Sequence, residues 1–121
     1  MTAEPYGWSA RIDLYECDVG RLVDRDHIQR FIHTLCDDVL GMKRHGESLI
    51  EWFGGNEEKV AGFSFVQLIE TSSVVGHVSE ARRAVYLDIF SCRPFDAAGA
   101  AGHAMTYFGA RRESTATDLR L

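Results

Sequence analysis

The chain has 121 residues, of which 45% are hydrophobic and 26% charged, and its formal net charge is −5 at pH 7. This composition excludes a disordered polypeptide and predicts one globular domain over residues 1–121. Because no run of Lys and Arg is present to neutralise phosphates, nucleic acid is excluded as a partner.

The first half of the chain predicts a strand followed by a helix. In "WSARIDLYE", apolar and polar residues alternate, which is typical of a half-buried strand. A polar connection, "CDVGRLVDRD", comes next. Apolar residues then recur at helical spacing from Ile28 to Leu40, with Asp24 or Asp26 as the N-cap and Gly41 as the stop.

The second half predicts four strands and a weaker helix. The strands are "SLIEWF", "GFSFVQLIE", "SVVGHVS" and "AVYLDIFSC", and "EARR" is the turn of a hairpin between the last two. The segment "AAGAAGHAMTYFG" is Ala-rich but only weakly helical because it contains glycines. The polar tail "ARRESTATDLRL" is expected to be frayed.

The predicted order is therefore β-α-β-β-β-β-α, which is α+β: a mostly antiparallel sheet with helices on one face. The third and fifth strands carry apolar residues on both faces, including Phe63, Val66, Leu87 and Phe90. The free sheet face then needs a cover, and a second copy of the chain supplies it. We expect a homodimer in which two sheets pack face to face as an αββα sandwich.

The cellular location is predicted to be cytoplasmic. No apolar window approaches the ~20 residues of a membrane span, and "MTAEPYGW" lacks the basic and apolar regions of a signal peptide. Cys17, Cys36 and Cys92 have no metal-type pair spacing, so reduced thiols and no metal site are expected. No membrane partner is expected.

The stretch "ETSSVVGHVSE" places two serines and a histidine where two predicted strands meet. Self-cleavage needs a hydroxyl that attacks the carbonyl before it in a strained turn, and a group that moves protons. Ser72 would supply the hydroxyl and Thr71 the carbonyl, with Ser73 as the alternative nucleophile. A tight turn would return His77 to the same place. An inert polar turn beside a hydrogen-bonded histidine is the other interpretation.

The wider layout resembles the pyruvoyl-dependent S-adenosylmethionine decarboxylases of the short bacterial and archaeal type. The first strand ends in the family-like "LYECD". Ser64 lies eight residues before Ser72, His77 five after it and Cys92 twenty after it, as do the family's processing serine, processing histidine and proton-donor cysteine. The resemblance covers roughly residues 9–108.

The resemblance implies a proenzyme that cleaves itself between Thr71 and Ser72. The Ser72 hydroxyl forms an ester with the Thr71 carbonyl, Ser64 helps to hold the intermediate, and His77 removes the Cα proton before elimination. Position 72 becomes a pyruvoyl group, the cofactor, which forms a Schiff base with the amine of a small-molecule substrate. Cys92 returns a proton after carbon dioxide leaves. The product feeds polyamine (spermidine) biosynthesis.

Three further residues are weaker candidates for substrate binding. Glu16 flanks the matched first strand and would meet a cationic substrate. The family stacks an aromatic ring on adenine, and Phe63, or else Trp52 or Phe53, would supply it here. Ser73 adjoins the nucleophile.

Two alternatives to this function stay open at this stage. The enzyme would act on arginine or ornithine instead, which also suits the acidic net charge. Otherwise the chain is an uncleaved homologue with a binding or regulatory role.

Overall fold

The computed structural model describes residues 4–121, so residues 1–3 of the predicted domain lie outside it. In chain order the strands and helices are β1 (Gly7–Tyr15), α1 (Val19–Leu22), α2 (Arg25–Thr34), a π-helical turn (Leu35–Val39), β2 (Arg44–Phe53), a 3₁₀ turn (Glu58–Val60), β3 (Gly62–Ile69), β4 (Ser72–Ser79), β5 (Ala84–Ser91), α3 (Ala97–Phe108) and β6 (Arg112–Arg120).

All six strands form one antiparallel sheet in the order β2-β3-β4-β5-β1-β6. The predicted α+β class, with an antiparallel sheet and helices on one face, is confirmed. The hairpin predicted at "EARR" joins β4 to β5, where the Ser79 hydroxyl accepts a hydrogen bond from the Arg82 backbone N–H at 3.2 Å. β4 is an inner strand of the sheet, and it pairs with β3 on one side and β5 on the other.

The long predicted helix is divided into two parts. Its N-cap is Asp24, whose carboxylate accepts the backbone N–H groups of Asp26 and His27. The α-helix ends at Thr34, and the apolar stripe continues through the π-helical turn instead. Gly41 then reverses the chain at a φ of 62°, as its predicted role as the stop requires.

Two segments that were predicted to lack regular structure form a short helix and a strand. The polar connection contains α1, which Asp18 caps through the Gly20 backbone N–H at 3.1 Å. The tail predicted to be frayed forms β6, which pairs with β1 along its whole length. The frayed-tail prediction was wrong because β6 is exposed at every residue and so lacks apolar alternation, whereas β1 offers it a full edge of backbone donors and acceptors.

The helices cover one face of the sheet and bury the core there. Phe31 of α2 is fully buried and packs edge-on against Phe65 of β3 and at a tilt against Phe108 of α3. By strand register, Ser64, Val66, Leu68, Val75, His77, Asp88 and Phe90 share the opposite face, which we call the open face. None of the helices within residues 4–121 is long and apolar enough to cross a membrane.

Candidate active site

The predicted cleavage site lies in a two-residue hairpin loop. Glu70 and Thr71 connect β3 to β4, and Ile69 and Ser72 face each other across the loop. Loops of this length usually place positive φ angles on the loop residues themselves, which favours Gly and Asn there. Neither Glu70 nor Thr71 has a positive φ.

The unusual backbone angle falls on Ser72 instead. Its φ is 155°, in a region that residues with a side chain rarely adopt. Backbone outliers of this kind cost on the order of 1–3 kcal/mol and cluster at functional sites. The strained turn that self-cleavage requires is therefore present at the predicted scissile residue.

The carbonyl before Ser72 is fixed by a backbone donor. The Cys92 N–H donates to the Thr71 carbonyl oxygen at 2.9 Å, in the position of a donor to an oxyanion formed there. Ser91 pairs with Ser72 across the strands, is fully buried, and accepts a hydrogen bond from the Arg93 backbone N–H at 3.0 Å. Cys92, which the resemblance to the decarboxylase family singled out, thus adjoins the predicted scissile bond.

The segment before β2 supports the same loop from the other side. The Lys43 carbonyl accepts the Glu70 backbone N–H at 3.0 Å, and their side chains form an ion pair at 3.6 Å. The Thr71 hydroxyl donates to Met42 Sδ at 3.2 Å. Met42 was not predicted, and a lone apolar residue after a glycine stop carries no signal of such a contact.

Ser64 and His77 lie together, but far from Ser72. They are cross-strand partners on β3 and β4, and Ser64 Oγ is 2.9 Å from His77 Nδ1. The tight turn expected to return His77 to Ser72 does not exist, because β4 runs unbroken from Ser72 to Ser79. At about 3.3 Å per residue, His77 is about 16 Å from Ser72 in the same chain.

The weaker substrate-binding candidates are spread over the sheet. Glu16 follows β1 at the sheet end opposite Ser72 and accepts a hydrogen bond from Arg112 at 3.0 Å. Phe63 is partly buried against the core near the start of β3, also away from Ser72. Ser73 lies on the open face beside Phe90. The structure therefore brings only Ser73 of these three next to Ser72.

The three thiols are free and differ in environment. Cys92 is exposed beside the predicted cleavage site, whereas Cys17 and Cys36 are buried. Burial raises the pKa of Cys17 to about 11 and that of Cys36 to about 12. Within residues 4–121, no group of three or more His, Cys, Asp or Glu side chains is arranged to bind a metal ion.

Comparisons with known proteins identify the fold and the family of this chain. The crystal structure of the adenosylmethionine decarboxylase from Aquifex aeolicus superimposes with a TM-score of 0.81 at 18% identity, covering 98% of this chain and 92% of that one. The chain thus has the fold of an adenosylmethionine decarboxylase. The family model for S-adenosylmethionine decarboxylase matches residues 9–120, so the chain belongs to the S-adenosylmethionine decarboxylase family. No curated protein matches the sequence.

Proposed function

We propose that this protein is a self-processing, pyruvoyl-dependent decarboxylase of S-adenosylmethionine whose product feeds polyamine synthesis in the cytoplasm. The observation that carries the proposal is the geometry of the scissile turn. Ser72 has a strained φ of 155°, and the carbonyl it would attack accepts the Cys92 N–H at 2.9 Å. Membership of the S-adenosylmethionine decarboxylase family supports an active turn over an inert hairpin.

Processing begins within one chain. The Ser72 hydroxyl attacks the Thr71 carbonyl carbon, and the negative charge that develops on the oxygen is stabilised by the Cys92 N–H. Collapse of this intermediate breaks the peptide bond and leaves Thr71 as an ester on Ser72 with a free amine. Loss of the Ser72 Cα proton then expels the Thr71 carboxylate, and hydrolysis releases ammonia and leaves a pyruvoyl group at position 72.

The proton transfers come from a second chain. Within one chain, His77 is about 16 Å from Ser72, whereas a general base must come within about 3 Å of its proton. A two-fold axis that lies between two open faces, perpendicular to β4 at Val75, would bring residue 77 of one chain opposite residue 73 of the other. Ser64 and His77 of one copy would then lie opposite Ser73 of its partner, the residue next to Ser72, and Ser64 contacts only Nδ1 of the histidine, which leaves Nε2 for proton transfer.

The open face has the composition such a dimer needs. Leu49, Phe53 and Leu68 are each more than half exposed there, and Val66 and Val75 lie between them and the centre of the sheet. Apolar side chains on the free face of an antiparallel sheet are the usual surface for sheet-on-sheet packing at about 10 Å. The proposed homodimer and the proposed shared site therefore use the same surface.

Position 72 and the neighbouring Cys92 suit the chemistry of a pyruvoyl group. When formed, it supplies an electrophilic carbonyl that binds the substrate amine and accepts the electrons left by carbon dioxide. The exposed Cys92 side chain lies one residue beyond Ser91, the cross-strand partner of Ser72, and returns the proton to the substrate carbon.

Intact mass under denaturing conditions tests processing. We expect fragments 1–71 and a pyruvoyl-blocked 72–121, followed by release of carbon dioxide from carboxyl-labelled S-adenosylmethionine. Cleavage one residue later would move the nucleophile to Ser73. Release from labelled arginine or ornithine instead would change the substrate. An unchanged full-length mass after long incubation would contradict the proposal and favour a binding role.

A further inference from the structure

The hairpin loop at the predicted cleavage site rests on a short segment, residues 41–43, which lies just before β2. The Lys43 carbonyl accepts the Glu70 backbone N–H at 3.0 Å, and Met42 Sδ accepts the Thr71 hydroxyl at 3.2 Å. Both residues of the loop therefore take part of their position from this segment.

A second segment, residues 91–93, carries the backbone donor to the same loop. The Cys92 N–H donates to the Thr71 carbonyl oxygen at 2.9 Å. This segment is fixed from within, because the Arg93 backbone N–H donates to the hydroxyl of the fully buried Ser91 at 3.0 Å. The loop is thus supported by one segment through its side chain and N–H, and by the other through its carbonyl.

The Arg93 side chain joins these two segments. Its Nη2 donates to the Gly41 carbonyl oxygen at 2.7 Å, a length typical of a charge-assisted hydrogen bond. The bond closes a ring of contacts that runs from Arg93 through residues 41–43 and the loop to Cys92, its neighbour in the chain. Because Gly41 precedes the predicted cleavage site and Arg93 follows it, the ring also connects the two fragments that cleavage would produce.

We propose that Arg93 is a positioning residue for self-cleavage, an inference that rests on the proposed function. Its guanidinium keeps residues 41–43 in a fixed position relative to the Cys92 N–H, so the Thr71 carbonyl is held between its two supports. The carbonyl carbon is then presented to the Ser72 hydroxyl while its oxygen stays on the donor that stabilises the developing negative charge. Arg93 acts through these contacts and transfers no proton.

This role belongs to the first step of processing, in which the peptide bond before Ser72 becomes an ester. His77 is assigned to the later step, removal of the Cα proton. Added hydroxylamine separates the two steps, because it attacks the ester carbonyl, forms a hydroxamic acid on Thr71 and frees the Ser72 hydroxyl, while ordinary peptide bonds stay intact. A variant that stops after ester formation is therefore cleaved by hydroxylamine, and one that stops before it is not.

The test follows cleavage of Arg93→Met by intact mass, with and without hydroxylamine. Methionine keeps an unbranched side chain but donates no hydrogen bond. Cleavage should be about ten-fold slower than in wild type, and hydroxylamine should not accelerate it. Arg93→Lys, which keeps a cationic donor, should cleave within about two-fold of wild type. His77→Ala is the positive control, since hydroxylamine should cleave its accumulated ester.

Arg21 supplies a matched control. Its Nη1 donates to the Thr106 carbonyl oxygen near the end of α3 at 2.9 Å, a bond of the same kind at the sheet end opposite Ser72. Arg21→Met should lower the melting temperature about as much as Arg93→Met does, yet cleave at the wild-type rate. Equal slowing of both variants would assign the effect to a general loss of stability and overturn the inference.

Failure of the inference can be distinguished from failure of the proposed function. If wild type cleaves and Arg93→Met cleaves equally fast, the positioning role is overturned and self-processing stands. The same holds if Arg93→Met accumulates an ester that hydroxylamine cleaves, because the defect then lies after the attack on Thr71. A wild-type chain that never cleaves would overturn the proposed function, and the positioning role with it.

Discussion

Self-cleavage should require two chains, and complementation between two inactive variants tests this. Ser72→Ala removes the nucleophile, and His77→Ala removes the proton-transfer group that lies about 16 Å along β4 from it. Neither variant should cleave alone. When the two are co-expressed in equal amounts, about half of the His77→Ala chains pair with a Ser72→Ala chain that carries an intact His77. About half of the His77→Ala chains should therefore be cleaved.

Intact mass reads the result directly, because only fragment 72–121 carrying the His77→Ala change reports rescue. The control is co-expression with a chain carrying both substitutions, which can pair but supplies no histidine and should rescue nothing. Cleavage of His77→Ala by itself would show that His77 is not needed. Demonstrated heterodimers without any cleaved fragment would refute action between chains.

Two further predictions concern ionisable side chains. Iodoacetamide at about pH 8 should quickly modify one thiol per chain, that of the exposed Cys92, and thereby abolish decarboxylation. The other two thiols should react slowly, because burial raises the pKa of Cys17 to about 11 and that of Cys36 to about 12. Rapid labelling of Cys36, read by peptide mapping, would contradict its buried environment. Burial also lowers the pKa of His103, which stacks on Phe31 at 5.8 Å and hydrogen-bonds with Thr34 at 2.9 Å, although Asp38 opposes the shift. The unfolded chain therefore takes up this proton at a higher pH than the folded one, so stability is lost as the pH falls from about 6.5 through the folded pKa. The melting temperature of wild type should drop more on acidification than that of His103→Gln, and equal drops would show that His103 does not contribute.

The sequence predicts the elements that bury an apolar face and misses those that do not. The strand around Ile12 and Leu14, and the helix around Phe31, carry a clear period because one side of each enters the core. The same holds for the strands on either side of the cleavage site. By contrast, β6 forms through backbone pairing with β1, and its Thr-Ala-Thr centre, a modest β-forming signal, was the only indication of a strand.

The candidate site was predictable in residue type but not in arrangement. Spacings shared with the decarboxylase family singled out Ser64, His77 and Cys92, and the structure places Cys92 beside Ser72 and joins Ser64 to His77. The sequence interpretation assumed that the four residues between Ser72 and His77 form a turn. Period-two patterning from Ser73 to Ser79 is equally compatible with a straight strand. The straight strand β4 keeps the Ser64–His77 pair away from Ser72 and Cys92.

The position of the strain explains why cleavage would occur at Ser72 and not elsewhere in the hairpin. A two-residue loop with Gly or Asn would absorb the reversal at positions that tolerate positive φ. Here Glu70 and Thr71 keep negative φ angles, so the distortion passes to Ser72, where β4 begins and pairs on both sides. Strand pairing prevents the residue from relaxing, and breaking the bond before it is the change that frees its φ. Thr71→Gly should therefore relieve the backbone strain at Ser72 and slow processing. Glu70→Gln leaves the backbone preference unchanged and should not slow it. A time course of intact mass compares the two cleavage rates, and equal rates would show that the strain does not drive cleavage.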